Sequence, residues 1–299
     1  MIKIFRTLAY GLLAISVACQ SKPQNPAKES EASGEAREDS LALLHAYELQ
    51  AQIKHAVYPM VETQSIAAQS LEDAADDPAL WLHPDDPAKS LIYGSNKKGG
   101  LATYDLSGKE VAYYPIGKVN NVDVLQQLSF GERSVSILGC SNRTYQGIDI
   151  FLIDETDGSL TDLSQESLTV DPAKVDDVYG FCFGRLKDGK IFAILNGKNG
   201  LMQQFELVLK DSAVSWILRR EYQSPSQTEG MVVDELLGDL YVGQEDGGIW
   251  KLKLDPKDAT EAQKLAMSGE ENPAIAYDIE GLSIYRKGEQ AYLMASSQG

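Results

Sequence analysis

Residues 91–106 read LIYGSNKKGGLATYDL, in which an apolar strand-like segment leads to a polar tip, then glycine, then a second alternating segment. The arrangement returns at residues 136–153 (SILGCSNRTYQGIDIFLI), 192–207 (FAILNGKNGLMQQFEL) and 240–254 (LYVGQEDGGIWKLKL). A fifth copy begins at residues 292–299 as YLMASSQG. Each copy has the pattern of two antiparallel strands joined by a short hairpin.

The spacing of the polar tips predicts the fold. If Lys97, Arg143, Lys198 and Asp246 are equivalent, successive tips are about 46, 55 and 48 residues apart. This is the repeat length of a four-stranded propeller blade, and sheet sandwiches have no such repeat. From Asp76 onward the apolar runs are short and no long stretch has helical periodicity. The sequence therefore predicts an all-β fold, a β-propeller.

A second kind of segment places an acid or amide cluster directly before an apolar strand. It occurs as DDPALWLH (76–83), NNVDVLQQL (120–128), DDVYGFCFG (176–184), QTEGMVVDE (227–235) and DIEGLSIY (278–285). Because strands alternate in direction within a blade, these segments and the hairpin tips lie at the same end of the sheet. Any single cluster has an alternative role as a turn. Acids at five strand starts and bases at three successive tips instead favour one functional site.

The residue types at this end suit a hard cation and phosphate. The chain has three histidines, which all precede the repeat: His45, His55 and His83. A histidine-rich zinc or iron site is therefore disfavoured, and carboxylates favour Ca²⁺. The tips carry four bases: Lys97, Lys98, Arg143 and Lys198. Bases beside bound cations suit phosphate groups, and no conventional nucleophile motif is present, so attack by a metal-activated water remains.

Composition limits the partners. The 299 residues include 27 Lys and Arg against 44 Asp and Glu, a net charge of −17, which argues against nucleic-acid binding. An apolar content of 43% is that of a globular protein. Cys140 and Cys182 lie within apolar strand-like segments, which favours buried free thiols over a disulfide.

The N-terminus has the features of an export signal. Within residues 1–19, basic residues precede an apolar run and Ala18 precedes Cys19. A polar segment follows, so Cys19 is predicted to be the lipidated residue of a bacterial lipoprotein. Ser16 stands where such signals usually have Leu, and a secretory signal with an incidental cysteine is the alternative.

The domain boundaries follow from this assignment. Residues 20–40 are rich in Glu, Lys, Ser and Pro and predict a disordered linker, and residues 41–299 form the propeller domain. We expect an exported protein, periplasmic or on the cell surface if lipid-anchored, and otherwise secreted. Membrane contact is expected only through the lipid on Cys19.

Nine motifs in register, spread over about 225 residues, carry a resemblance to a known family. They are DDPALWLHP (76–84), SNKKGGLATYDLSGK (95–109), GKVNNVDV (117–124), SNR (141–143), DDVYGF (176–181), QTEGM (227–231), EDGGIWK (245–251), DIEGL (278–282) and YLMASSQG (292–299). In this order they resemble the β-propeller phytases of bacteria.

The resemblance implies a six-bladed propeller that removes phosphate from phytate, or other inositol phosphates, with several calcium ions. It implies three phosphate contacts at the cleavage site: Lys97, Arg143 and Tyr179. It implies two contacts to a neighbouring phosphate: Lys98 and Lys198. It implies calcium ligands on the active face at Asp76, Glu229, Glu245, Asp278 and Glu280, with Asp77 and Asp123 as ligands of structural calcium. For Tyr179 a core aromatic is an alternative role, and for Asp76 and Asp77 a turn before Pro78.

Two departures from the family pattern bear on these expectations. Asn199 stands where the family commonly has an acid, which removes one carboxylate. The chain ends at Gly299, so about five blades are expected, the last incomplete, in a fragment of a protein that is a monomer when complete. Two other functions remain: a non-catalytic surface propeller that binds calcium and phosphate, and a calcium-dependent lactonase or esterase. The second ranks last because it usually needs a histidine base, and no histidine follows His83.

Overall fold

The structure is a computed structural model. It describes residues 41, 44, 47, 48, 51, 57–66, 73–130, 133–164, 168–210, 213–258, 261–269, 271, 272, 275 and 279–298. Contacts divide the chain into two units, residues 1–50 and 51–299. The described residues of the first unit are helical and exposed. The predicted signal, Cys19 and the linker at 20–40 lie outside the described residues.

The second unit contains successive antiparallel sheets built in chain order. The first sheet comprises β1 (Ala75–Trp81), β2 (Leu91–Asn96), β3 (Gly100–Asp105) and β4 (Glu110–Tyr114), with a short 3-10 helix at Pro87–Lys89. The second comprises β5 (Val119–Phe130), β6 (Arg133–Asn142), β7 (Gly147–Ile153), β8 (Leu160–Asp162) and β9 (Leu168–Thr169), where β8 and β9 both pair with β7. The third comprises β10 (Val178–Arg185), β11 (Ile191–Gly197), β12 (Leu201–Lys210) and β13 (Ala213–Gln223).

The fourth sheet comprises β14 (Thr228–Asp234), β15 (Asp239–Gln244), β16 (Gly248–Lys253) and β17 (Gln263–Lys264). Two further strands, β18 (Ile279–Lys287) and β19 (Gln290–Ser297), pair with each other. The first strand of each sheet contacts the first strand of the next, from β1 through β5, β10 and β14 to β18. This is the blade arrangement of a β-propeller, so the all-β propeller prediction is confirmed. The described strands form four blades and a two-stranded fifth sheet.

The hydrophobic core lies between neighbouring blades. One cluster joins the first and second blades around Trp81 and Tyr93, both fully buried. A second joins β5–β9 to the third blade through Phe181 and Phe183, and a third joins the third and fourth blades. Cys140 and Cys182 are buried free thiols within these clusters, as predicted. We call the first strand of each sheet its inner strand: β1, β5, β10, β14 and β18. Burial between blades holds each inner strand against the next, which fixes the positions of the inner-strand side chains.

Every inner strand begins with the same irregularity. Pairing with the second strand breaks between Ala75 and Pro78 in β1, and between the corresponding residues in β5, β10, β14 and β18. Such β-bulges redirect side chains and are frequent beside active sites. A repeated bulge therefore sets the direction of the first side chains of every inner strand.

Glycine allows the inner strands to approach closely at these bulges. A Cβ on Gly180 would lie 2.0 Å from the backbone oxygen of Glu229, and one on Gly230 would lie 1.5 Å from that of Glu280. No larger residue fits without moving the next blade. The bulge and the glycine together place Glu229 and Glu280 against the preceding blade.

Candidate active site

Strand register makes five side chains structurally equivalent. Each directly follows the first paired residue of an inner strand: Asp76, Asn120, Tyr179, Glu229 and Glu280. We refer to this set as the inner ring. Asn120 is the one member that the sequence did not single out. Four inner-ring positions were predicted as site residues, and the structure places them at corresponding positions of successive blades.

The hairpin tips form a second set. Lys97, Arg143, Lys198 and Glu245 each follow the last residue of a second strand, and we call them the tip ring. Their backbone N–H groups donate to the residue preceding the inner strand: Lys97 to Ala74 at 2.8 Å, Arg143 to Lys118 at 2.8 Å, Lys198 to Asp177 at 3.2 Å and Glu245 to Gln227 at 3.2 Å. The assignment of Asp246 as the fourth tip was therefore wrong by one residue. This hairpin has three residues between Gln244 and Gly248, as the first blade has between Asn96 and Gly100. The repeat spacing therefore located the tip but did not fix its register to one residue.

One cleft of about 390 Å³ is bordered by Lys97, Arg143 and Lys198 of the tip ring and by Tyr179 of the inner ring. Its lining comprises Asp73, Lys97, Lys98, Lys118, Arg143, Asp177, Tyr179 and Lys198. Five bases against two acids give it local positive charge in a chain of net charge −17. The structure thus brings together all five residues predicted to contact phosphate.

Lys97 lies between two carboxylates. Its Nζ is 2.7 Å from Asp73 Oδ2 and 3.0 Å from Asp76 Oδ1. Burial opposes the charge on Lys97, but hydrogen bonds to these two acids raise its pKa. For Asp76 burial dominates, and its pKa is raised in spite of Lys97. Lys97 therefore stays protonated, and Asp76 keeps one oxygen, Oδ2, buried without a hydrogen-bond partner.

Arg143 is held by the neighbouring blade. Its Nε donates to Asp177 Oδ1 at 3.1 Å, and its Nη2 donates to Asp177 Oδ2. Gln146 Nε2 also donates to Asp177 Oδ1, at 3.3 Å. Burial acts to raise the pKa of Asp177, but the hydrogen bonds from Arg143 and Gln146 have the larger combined effect. The pKa of Asp177 is therefore lower than its ordinary value. Nη1 of Arg143 points toward Asn120 Oδ1 at 3.5 Å, so one edge of the guanidinium remains directed at the inner ring.

Tyr179 separates the two basic tips. Lys198 Nζ lies 4.8 Å from the ring centroid of Tyr179, and the Arg143 guanidinium carbon lies 5.9 Å from it. Both distances allow cation–π attraction. Tyr179 and Glu229 share a side-chain hydrogen bond, and burial together with nearby Glu229 and Glu245 raises the pKa of the phenol. Tyr179 therefore lines the cleft, with its ring beside the bases and its hydroxyl on the carboxylate side.

Glu229 is the most enclosed acid of the inner ring, with 4% of its surface exposed. Asn120 Nδ2 donates to its Oε1 at 2.8 Å. Burial, followed by the charges of Asp76 and Glu280, raises its pKa to about 8. Without a cation, the carboxylates of Glu229, Asp76 and Glu280 repel one another. A bound divalent ion would reduce this repulsion.

The donor set fits calcium in kind. Asp76, Glu229, Glu245 and Glu280 supply carboxylate oxygens, and Asp76 Oδ2 is a buried acceptor without a donor. Glu245 accepts from Gln227 Nε2 at 2.7 and 2.9 Å. Within the described part of the chain, no three His, Cys, Asp or Glu residues are already gathered at metal-binding distances. Asp278, a predicted ligand, lies outside the described residues.

Asp77 and Asp123 lie deeper, away from the cleft lining. Asp77 Oδ2 accepts from Val122 N at 3.0 Å, and Asp123 accepts from Val124 N at 2.7 Å and Phe183 N at 2.8 Å. Loss of hydration raises the pKa of Asp77 to about 7 and that of Asp123 to about 6. Each carboxylate links its inner strand to the next blade, and its role as a structural calcium ligand stays a prediction.

Sequence reasoning missed four residues of the site. Asp73, Lys118 and Asp177 line the cleft, and Asn120 connects Arg143 to Glu229. Lys118 and Asn120 lie in the motif GKVNNVDV, and Asp177 lies in DDVYGF, so the motifs contained the signal. Their roles depend on which side chains the β-bulges direct toward the site, and the motifs do not show this.

Among the described residues no helix has the length and hydrophobicity needed to cross a membrane.

The fold and site define a β-propeller with a basic cleft beside a ring of carboxylates, an arrangement for binding a polyanion. A sequence model of the phytase family matches residues 30–299, and the chain belongs to this family. The chain is 37% identical over 245 residues to the 3-phytase of Bacillus subtilis (strain 168), which covers 80% of this chain and 62% of that protein. The predicted family resemblance is thereby confirmed.

Solved structures to which the chain is similar include the following. One is BBS1N in complex with ARL6DN, with 11% identity, a TM-score of 0.47, and coverage of 73% of this chain and 61% of that chain. The other is a protein from Desulfotomaculum acetoxidans, with 15% identity, a TM-score of 0.45, and coverage of 67% and 57%. The present chain spans about 62% of the length of the 3-phytase that it matches.

Proposed function

We propose that this protein is a calcium-dependent phosphomonoester hydrolase that releases phosphate from phytate, myo-inositol hexakisphosphate. The observation that carries the proposal is that a cleft lined by five basic side chains lies beside the inner-ring carboxylates, in a chain of net charge −17. Membership of the phytase family and 37% identity to a 3-phytase support it. A polyanion approaching this surface needs both the bases and bridging cations to offset the acids.

The bases bind and orient the substrate in this proposal. Lys97 and Arg143 contact the reacting phosphate, since both are fixed by carboxylates that keep them charged and directed. Lys98 and Lys198 contact a neighbouring phosphate. Tyr179 positions Lys198 through its ring and hydrogen-bonds to Glu229, so it joins the basic and acidic halves of the site.

Calcium is proposed to bind Asp76, Glu229, Glu245 and Glu280, with Asp278 as a further ligand and Asp77 and Asp123 in structural sites. When bound, the ion would neutralise phosphate charge and activate a water molecule for attack. Asn120 holds Glu229 by a hydrogen bond at 2.8 Å and thereby fixes one carboxylate relative to Arg143. Because Glu229 is almost fully buried, bulk water screens the charge of its carboxylate only weakly.

Phosphate release from phytate tests the proposed reaction. With Ca²⁺ present, the purified full gene product should release phosphate, and its Arg143→Ala variant should release about 10²-fold less, as expected when a directed charge on the reacting group is lost. Circular dichroism should show the same strand content for both proteins. A wild-type chain that binds phytate in the presence of calcium without releasing phosphate would instead favour a non-catalytic binding propeller.

Export with a lipid anchor on Cys19 is proposed from the leader sequence alone. Expression of the full gene product in a bacterial host, with Cys19→Ser as the control, tests it through fractionation. Wild type in the membrane fraction and the variant in the soluble exported fraction would support the anchor. Equal distribution of the two proteins would contradict it.

A further inference from the structure

We propose that Lys118 is a specificity-determining residue, whose ammonium binds a phosphate group of an inositol polyphosphate other than the one being cleaved. The inference rests on the proposed function, because it assigns a further contact within the same cleft. Lys118 lies directly before β5 and lines the cleft together with Lys97 and Arg143.

The backbone of Lys118 is fixed to the tip that carries Arg143. Lys118 N donates to Thr144 Oγ1 at 2.8 Å, and Lys118 O accepts from Arg143 N at 2.8 Å. The preceding Gly117 has a φ of +112°, a conformation that L side chains rarely adopt, and this brings the chain into the pairing. The stem of Lys118 thus begins at a set position beside Arg143 while its exposed end is free to move.

The position of Lys118 is one from which side chains reach the site in other blades. Its equivalents, each preceding an inner strand, include Asp177 and Gln227. Asp177 pairs with Arg143, and Gln227 donates to Glu245. Side chains at this position therefore contact tip-ring residues, and in the second blade the position carries a cation.

Lys118 differs from Lys97, Arg143 and Lys198 in having no charged or aromatic partner among the described residues. Lys97 is paired with Asp73 and Asp76, Arg143 is paired with Asp177, and Lys198 lies over the Tyr179 ring. For the Lys118 ammonium, the described residues offer no hydrogen bond or ion pair to a carboxylate. An exposed ammonium without an ion pair can bind a phosphate without first breaking a contact within the protein.

The geometry favours a polyphosphorylated ligand over a monophosphate. Lys97 and Arg143 engage the reacting group in the proposed function, and a single phosphate held there leaves Lys118 without a ligand. An inositol ring with several phosphates presents neighbours of the reacting group to other bases of the cleft. Lys118 would then raise affinity for highly phosphorylated substrates more than it raises turnover.

The test uses the full gene product with Ca²⁺ and two readouts. The first is the dissociation constant of myo-inositol hexasulfate, a polyanion that carries no phosphate to release. The second is KM and kcat for phytate. The variants are Lys118→Ala, Lys118→Arg, and the control Lys187→Ala, an exposed lysine beyond the opposite end of β10 from Tyr179. Equal thermal midpoints for the variants confirm that each is folded.

We expect Lys118→Ala to weaken hexasulfate binding and to raise KM by about threefold to tenfold, with a smaller fall in kcat. Lys118→Arg should recover most of the loss, Lys187→Ala should show none, and added salt should reduce the difference. Unchanged hexasulfate affinity in Lys118→Ala, or an equal loss in Lys187→Ala, would overturn the assignment. If hexasulfate affinity depends on Lys118 as expected but the protein releases no phosphate from phytate, the proposed reaction is wrong and the assignment of Lys118 stands.

Discussion

The guanidinium of Arg143, at the tip of the second blade, donates from both Nε and Nη2 to the carboxylate of Asp177, which precedes the inner strand of the third. Asp177 has a φ of +45° and Gln146, which donates to the same carboxylate, has a φ of +59°. Two non-glycine residues in the left-handed region within one network indicate a conformation maintained by its surroundings. Asp177 therefore acts as a positioning residue for Arg143.

Replacing Asp177 should impair catalysis through Arg143. Asp177→Asn retains a side chain that tolerates positive φ and removes the charge, so Arg143 loses its ion pair while the backbone is preserved. We expect kcat/KM for phytate to fall about tenfold, with a small change in thermal midpoint. Arg143→Lys, which cannot make the paired contact, should give a comparable loss. An unaffected kcat/KM in both variants would show that the pair serves the fold and not the reaction.

Loss of Lys97 should affect turnover far more than stability. The side chain is 20% exposed and pairs with acids at the cleft, without packing in a core cluster. Lys97→Ala should therefore lower kcat by about 10²-fold or more. Its midpoint of thermal unfolding should match that of Lys187→Ala, a matched loss of one lysine charge outside this cleft. A variant that unfolds, or that keeps the wild-type rate, would contradict the role given to Lys97.

The buried acids predict a pH dependence for the calcium-free chain. Burial and neighbouring acids raise the pKa of Glu229 from 4.5 to about 8, and loss of hydration raises that of Asp77 from 3.8 to about 7. A carboxyl whose pKa is raised in the folded state contributes stability fully below its unfolded pKa, and this is lost as pH rises through the folded pKa.

In excess chelator, the thermal midpoint should accordingly fall by about 5 °C or more between about pH 5 and pH 8. Glu229→Gln should flatten part of this fall, because glutamine remains neutral throughout. The measurement is a series of melting curves across that interval for the two proteins. A midpoint that rises with pH, or identical slopes for the two proteins, would refute the assignment.

Close approach of the third and fourth blades should make Gly180 intolerant of a side chain. A Cβ at this position would lie 2.0 Å from the Glu229 backbone oxygen, whereas one on Gly281, at the same bulge position, would meet Ser296 Cβ at an ordinary 3.8 Å. Gly180→Ala should therefore destabilise the chain by about 2 kcal/mol or more, and Gly281→Ala should have little effect. Denaturant unfolding of both variants provides the comparison, and similar midpoints for the two would contradict it.

The sequence contained most of the fold because a propeller repeats. Hairpin tips at regular spacing gave the blades, and strand alternation placed Lys97, Arg143 and Lys198 at one end, as observed. The fourth tip position was assigned to Asp246, whereas the structure gives it to the preceding residue, Glu245. The repeat spacing does not fix register to one residue.

Contacts between blades were not predictable from the motifs. Asn120 reaches Glu229 across 109 residues of chain, and Asp177 reaches Arg143 across 34. These pairs depend on the angle between sheets and on the bulge that starts each inner strand. A motif states which residue types are near a strand start, but not which of them meets the neighbouring blade.

The most direct test of the account is phosphate release from phytate by the purified full gene product as a function of free Ca²⁺. Because the inner-ring acids repel a polyanion unless cations bridge them, activity should be absent after exhaustive chelation and dialysis. It should return on adding Ca²⁺, with Lys97→Ala slower than wild type by about 10²-fold or more at every Ca²⁺ concentration. Release of phosphate at the full rate from the chelated, dialysed protein would contradict the account.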